Sequence, residues 1–151
     1  MGPQIKVIAF YEDHWMPPGT DFAQWDHLCR AYGAELQMVR DWADAEPLEG
    51  SWVTLLDENG LMDLAELGDI DAAVANSQQG VFPEAFTLVF GRSAQDLMTA
   101  IPSEDWNYAF RITTPNAIPM FGVNACAIAL FALEQYVKMK IAEAMAAAQQ
   151  G

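Results

Sequence analysis

The chain has 151 residues, 7 Lys+Arg against 21 Asp+Glu, a formal net charge of -14, and 52% apolar residues. That composition excludes a disordered chain, which lacks the apolar content to collapse. It also argues against nucleic-acid binding through a basic face, which needs a Lys/Arg footprint.

Residues 1–151 suit one domain, able to hide roughly two-thirds of its unfolded surface. Ile5 to Tyr11 is apolar and β-branched and reads as a buried first strand. Pro17-Pro18-Gly19 is a turn, and Thr20 or Asp21 can cap the helix that follows. Phe22, Trp25, Leu28, Cys29 and Tyr32 recur at spacings of three and four, an amphipathic stripe that Gly33 ends. Glu35–Val39 reads as a second strand, 41–51 as an acidic loop, and Trp52–Leu56 as a third strand closed by the turn Asp57-Glu58-Asn59-Gly60. Leu61–Leu67 suits a short helix, and Ile70–Val74 fits strand or helix equally. Phe86–Phe90 is a fourth strand, Ser93–Ile101 a short helix, and Ala109–Thr113 a fifth strand. From Val123 to Gln150 there is neither Gly nor Pro, so a long helix is expected, with a tail from 143 to 151 that frays. Its first half is apolar nearly all round, which calls for burial in the domain or in a subunit interface.

Strands alternating with helices imply an α/β fold with a mostly parallel sheet covered on both faces. Ligands of such sheets sit at the carboxyl ends of the strands. The places to look are therefore Tyr11–Thr20, Leu56–Gly60, Phe90–Arg92 and Thr113–Asn124. No G-x-G-x-x-G, P-loop lysine motif or nucleophile elbow occurs. The histidines, His14 and His27, are too few and too badly spaced for a zinc site, so no metal is expected. Leu88-Val89-Phe90-Gly91-Arg92 is a buried strand ending in glycine, where a ligand can approach the backbone. Arg111 to Leu130 is a strand entering a Pro/Asn/Gly loop that opens a helix. Such a loop offers free N–H groups and shape but little charge, which suits an uncharged ring such as adenine.

Together these segments resemble the SPOUT class of S-adenosylmethionine-dependent RNA methyltransferases, the trefoil-knot fold. Ile8 to Cys29 resembles its first strand, proline turn and helix, Leu88–Gly91 its second motif, and Ile112–Leu130 its knotted third motif. The likeness covers most of the chain and is nearest to the small single-domain members that methylate a ribose 2′-hydroxyl at the tRNA wobble position. It implies a C-terminal trefoil knot, a homodimer, and S-adenosylmethionine bound by Leu56, Phe90, Gly91, Ile112, Thr113, Met120, Gly122, Asn124 and Ala125.

The catalytic positions depart from the family pattern. Gly19 stands where the family has Asn, and His27 or a neighbour where it has Arg. Arg92 and Ser93 stand where a Glu is expected, and Met120-Phe121-Gly122 replaces a Ser/Met-Asn-Leu run. His27, as a general base near neutral pH, and Arg92 are the catalytic candidates. The bland reading of His27 is a helix-surface residue. The expected function is methyltransferase-like, on tRNA or rRNA ribose. The alternative is a non-catalytic relative that binds an adenosine-type ligand or acts through its acidic face. An unknotted flavodoxin-like binding module is the third reading.

From Asp41 to Phe90 there are eleven acids and no Lys, Arg or His. This is a solvated face or a docking surface for a basic partner. Cys29 and Cys126 read as small buried hydrophobes of a reducing compartment, with a single long-range disulfide the less favoured reading. With no signal-peptide pattern and no apolar run long enough for a membrane span, a cytoplasmic protein is expected. Of the tryptophans, Trp25 and Trp52 are expected in the core, and Trp15 and Trp42 at a rim.

Overall fold

In a computed structural model, which describes residues 3–11, 20–69, 85–92, 95–120 and 122–150, the first apolar run forms strand β1 (Gln4–Phe10). The remaining strands are β2 (Glu35–Val39), β3 (Trp52–Leu56), β4 (Met62–Asp63), β5 (Ala85–Phe90) and β6 (Tyr108–Arg111). The helices are α1 (Thr20–Ala31), α2 (Leu97–Ala100) and α3 (Gly122–Gln150), with three-ten turns at Trp42–Asp44, Leu64–Asp69 and Ser103–Asp105. The strands make one six-stranded sheet in the order β2-β1-β5-β3-β6-β4, and every pair is parallel.

Strands buried on both faces carry apolar residues continuously rather than alternately. In β1, Val7 and Ala9 join the face covered by α1 and α3, while Ile8 and Phe10 face the opposite layer with Leu97 and Ile101. The α3 side carries the larger core. On that helix Ala125, Cys126, Ala129, Leu130, Leu133, Tyr136 and Val137 are buried, a spacing of three and four that sets one stripe inward. The helix is therefore half in and half out, and Phe131 on its outer side is 56% exposed. It runs unbroken through Gln150, and residues from Ile141 to Gln149 are exposed.

Helix α1 buries Trp25 and Cys29, but Phe22, expected in the same stripe, is 46% exposed. Gly33 takes φ +69, and the Ala34 N–H reaches back to the Cys29 carbonyl at 2.8 Å, closing the helix in a left-handed cap. The side chains of Thr20 and Asp21, the proposed caps, lie outside the described residues, as do His14, Trp15, the Pro17-Pro18-Gly19 turn and Ile70–Val74.

Two local expectations change. Leu61–Leu67 is not an α-helix: Met62–Asp63 pairs with β6, and Leu64–Asp69 is a three-ten turn. Asp63 Oδ1 accepts the Ala65 N–H at 3.1 Å and so starts that turn. Leu64 and Leu67, three apart, both bury, because three-ten geometry stacks residues at a period of three. The second change is the short helix over Ser93–Ile101, which shrinks to Leu97–Ala100, with Ser93 outside the described residues.

The acidic loop is pinned rather than loose. Lys6, buried in β1, pairs with Glu35 at 3.2 Å and donates to the Glu46 carbonyl. The buried Thr87 hydroxyl takes the Leu48 N–H at 3.0 Å and meets the Ser51 hydroxyl at 2.7 Å. Asp41, Asp44 and Glu49 stay exposed at the surface of this loop.

Candidate functional site

The sheet order decides where a cleft opens. Strand β5 lies between β1 and β3, whereas a flavodoxin-like sheet runs 2-1-3-4-5 and keeps its third strand beside its first. The flavodoxin-like reading therefore fails on topology. At the other edge, β6 sits between β3 and β4. Leu56 and Met62 flank the same residue, Phe110, from opposite sides. The five residues 57–61 thus cross two strand spacings, roughly 9–10 Å, and straddle the end of β6.

That hoop is tight. The Asp57 N–H donates to the Phe110 carbonyl at 3.0 Å, and Arg111 Nη1 donates to the Gly60 carbonyl at 3.0 Å. A Cβ on Gly60 would stand 2.3 Å from the Phe110 carbonyl carbon. Only glycine fits a backbone approach this close. Asp57 is itself buried, and both its oxygens are used: Oδ1 accepts the Asn59 N–H at 2.8 Å and Oδ2 the Leu97 N–H at 2.6 Å. One carboxylate so fixes the hoop and the start of α2.

Beside the hoop, the carboxyl ends of β3, β5 and β6 enclose a cleft of about 210 Å³. Its walls are Leu56, Asp57 and Glu58 from the first end, Phe90 to Arg92 with Gln95 from the second, and Arg111–Thr114 and Ala117–Met120 from the third. Gly122 and Ala125, on the first turn of α3, close it. The loop from Thr114 is held by one hydroxyl: Thr114 Oγ1 accepts the Ile118 N–H at 2.9 Å and lies 2.9 Å from the Ile118 carbonyl. Ala117 takes φ 57 and Gly122 φ 58. A left-handed alanine is strained, and such strain gathers where a loop is shaped for a ligand. Space is open where a Cβ on Gly122 would stand. Gly91 differs, since a Cβ there would press on Gln95 and Leu97 at 3.0 Å.

Of the residues expected to bind cofactor, the structure gathers Leu56, Phe90, Gly91, Ile112, Thr113, Met120, Gly122 and Ala125 around this cleft. Asn124 is exposed and does not line it. Ile112 and Thr113, read as strand, have left the sheet, which ends at Arg111, and serve as cleft wall. His27 is an exposed residue of α1 and is not a wall residue. Arg92 is a wall residue, with its guanidinium tied to main chain: Nε donates to the Tyr11 carbonyl at 2.6 Å and Nη2 to the Arg40 carbonyl at 2.7 Å. It also lies over the Phe10 ring at 5.6 Å. In this state it joins the ends of β1 and β2. Asp57, Gln95 and Ala117 are wall residues that carried no distinct signal beyond the turn after β3.

Asp63, beside the cleft, titrates below the usual carboxylate range. The Thr113 hydroxyl hydrogen-bonds its anion, the Ala65 N–H adds to this, and Arg111 attracts it. Trp25 packs in the core against Phe90, with ring centroids 5.7 Å apart. Trp52 is half-buried against Phe86 and Tyr108. Trp42 is half-buried far from the cleft, and its indole N–H donates to Asp105 at 3.1 Å. It borders a second, wider groove of about 570 Å³ at the amino ends of β3 and β6, with Pro47, Val53, Glu104, Asp105 and Asn107. Among the described residues no group of three His, Cys, Asp or Glu is placed to hold a metal, and no helix is long and apolar enough to cross a membrane.

The sequence matches no protein-family model and no curated protein. Solved structures do match. A Bacillus anthracis protein assigned as an RNA methyltransferase aligns over 89% of this chain and 94% of its own, at 13% identity and a TM-score of 0.60. A Haemophilus influenzae Rd KW20 protein assigned to a methylase family aligns over 93% of this chain and 69% of its own, at 12% identity and a TM-score of 0.56. A structure concerned with the 2-OH methylation of C/U34 on tRNA aligns over 93% and 94%, at 17% identity and a TM-score of 0.53. This chain shares their fold.

Proposed function

We propose that the chain is a cytoplasmic, S-adenosylmethionine-dependent RNA methyltransferase-like protein, with tRNA or rRNA ribose as the methyl acceptor. One observation carries this reading. The segments that resemble the second and third SPOUT motifs converge on a single cleft at the carboxyl ends of three adjacent strands, in a fold shared with RNA methyltransferase structures. The hoop of residues 57–61 around β6 supports the trefoil knot that this family implies.

The residues present fit the adenosine half of the cofactor. Apolar walls from Leu56, Phe90, Ile112 and Met120 suit a purine, and the open space at Gly122 lets a ligand approach the start of α3. The cleft is smaller than the about 300–1,000 Å³ of sites that enclose a drug-sized ligand. Leu56, Phe90, Ile112 and Met120 would therefore hold the ring, with the cleft too small to enclose the whole molecule. When bound, S-adenosylmethionine supplies an electrophilic methyl group on its sulfonium. The chain's own residues bind and orient. Thr113, held by Asp63, and the Thr114–Ile118 turn fix the loop that walls the cleft.

Isothermal titration calorimetry with S-adenosylmethionine tests the reading. The expected result is one site per chain. Folded protein that gives no heat at millimolar cofactor would refute it.

A second reading, ligand binding without methyl transfer, is favoured by the state of the candidate catalysts. Arg92 is committed to main-chain carbonyls, and His27 lies outside the cleft. Transfer of labelled methyl from the cofactor to bulk tRNA separates the two. We further propose a homodimer through the outer side of α3, where Ile128 and Phe131 are exposed, since a two-fold interface is the commonest way to cover such a surface. A single monomer species in sedimentation at micromolar concentration would exclude it. The exposed acids of the pinned loop are the surface on which a basic partner could assist RNA binding, given the net charge of -14.

A further inference from the structure

In a chain with 7 Lys+Arg against 21 Asp+Glu, a base without a carboxylate partner stands out. Lys6 pairs with Glu35, Arg30 with Asp26, Lys138 with Glu134 and Lys140 with Glu143, all at 3.0–3.2 Å. The remaining bases, Arg40, Arg92 and Arg111, make no ion pair among the described residues. Arg111 donates to the Gly60 carbonyl and attracts Asp63 without pairing to it. Arg40 and Arg92 come together elsewhere. They follow β2 and β5, the two neighbours of β1 in the sheet.

The end of β1 holds both. Arg92 donates through Nη2 to the Arg40 carbonyl and through Nε to the Tyr11 carbonyl. The Arg40 guanidinium lies over the Tyr11 ring at 5.4 Å, and that of Arg92 over the Phe10 ring at 5.6 Å. Carbonyls and aromatic faces orient a guanidinium without cancelling its charge, and arginine stays protonated. Part of the Arg92 fork is still free to donate, and the Arg40 guanidinium makes no hydrogen bond among the described residues. Asp41, next in the chain, is exposed and pairs with neither arginine. Arg92 is also a wall residue of the cleft, so the two cations border it on the β1 side.

We propose that Arg40 and Arg92 form a phosphate-binding subsite at the edge of the cleft. The planar guanidinium fork matches the paired oxygens of a phosphate group. Two held cations without a counter-charge supply a local attraction for anions that a net charge of -14 otherwise opposes. The phosphate belongs either to the backbone of an RNA acceptor or to a free nucleotide, and the two sources give different readouts. The inference rests on the nucleotide chemistry proposed for the cleft, but it needs neither cofactor nor methyl transfer.

The test uses the full chain without cofactor at low salt. The probes are a fluorescein-labelled single-stranded oligoribonucleotide followed by anisotropy, and adenosine and adenosine monophosphate followed by calorimetry. Arg40→Gln should weaken the oligoribonucleotide by about fivefold and Arg92→Gln by about tenfold or more. Arg30→Gln is the control. It changes the net charge equally, but Arg30 lies in the last turn of α1, which leads into the start of β2 at the opposite end of the sheet. It should leave binding unchanged. Arg40 carries no hydrogen bond on its guanidinium, so its variant tests the subsite even if Arg92→Gln fails to fold. Arginine dependence of the oligoribonucleotide alone identifies a backbone phosphate. The same dependence for adenosine monophosphate, absent for adenosine, identifies a free nucleotide. No binding of either phosphate probe, equal binding by native chain and Arg40→Gln, or an equal loss in Arg30→Gln would overturn the proposal. A silent titration with S-adenosylmethionine beside intact arginine-dependent binding would instead count against the methyltransferase reading alone.

Discussion

The two ends of the sheet hold two concavities built on different principles. At the amino ends the groove beside Trp42 is wide, about 570 Å³, and its rim acids Glu104 and Asp105 are exposed. At the carboxyl ends the cleft is about 210 Å³, yet its walls are over-determined: a hoop around β6, a buried carboxylate with both oxygens engaged, and two left-handed residues. Volume alone would choose the wrong end. Convergent backbone and restrained loops mark the end at which a ligand can be recognised.

Glycine replacement tests this contrast with the largest effect. Gly60→Ala sets a Cβ against the Phe110 backbone and should cost about 3 kcal/mol or more, or prevent folding. Gly50→Ala, in the acidic loop with nothing within 4 Å of its Cβ, should cost only about 1–2 kcal/mol, the strain of its φ of +71. Urea unfolding of the two variants measures the difference, and equal losses would deny the hoop its tightness. Next is Asp57→Ala, which leaves the Asn59 and Leu97 N–H groups without their acceptor and should cost about 2–3 kcal/mol by the same assay. Relief of strain is smaller and of opposite sign. Ala117→Gly should stabilise the fold by up to about 1 kcal/mol, because glycine takes the left-handed conformation freely.

The smallest effect is a pH dependence. The folded-state pKa of Asp63 is lowered, chiefly by the Thr113 hydroxyl. Its contribution is thus present above the unfolded carboxylate value and fades as pH falls through the folded one. Native protein should melt above Asp63→Asn at neutral pH, and the two melting temperatures should converge in acid. A gap that persists in acid would remove the Thr113–Asp63 link from the cleft.

What could be read in advance divides along physical lines. Strands β1, β3 and β5 were legible because a strand buried on both faces writes its apolar run into the local sequence. The cleft loops were legible because parallel strands place ligand sites at their carboxyl ends. Strand β4 was not, since two residues carry no periodicity and Met62–Asp63 becomes strand only by lying beside β6. The place of β5 between β1 and β3 was equally hidden, because sheet order is a long-range choice. The same holds for Arg92, whose partners Tyr11 and Arg40 lie 81 and 52 residues away. Its guanidinium answers to carbonyls that no local pattern reveals. Phe131 was read with an all-round apolar helix, and only the packing of α3 showed which stripe turns inward.

The central claim is that recognition occurs at the restrained end of the sheet. A two-dimensional nitrogen–proton NMR titration of the whole chain with S-adenosylmethionine tests it most directly. The backbone peaks of Gly91, Thr113, Gly122 and Ala125 should shift saturably, while the Trp42 indole and Asn107 peaks stay in place. Shifts centred on Trp42 and Asn107, or no saturable shift at any peak, would contradict it.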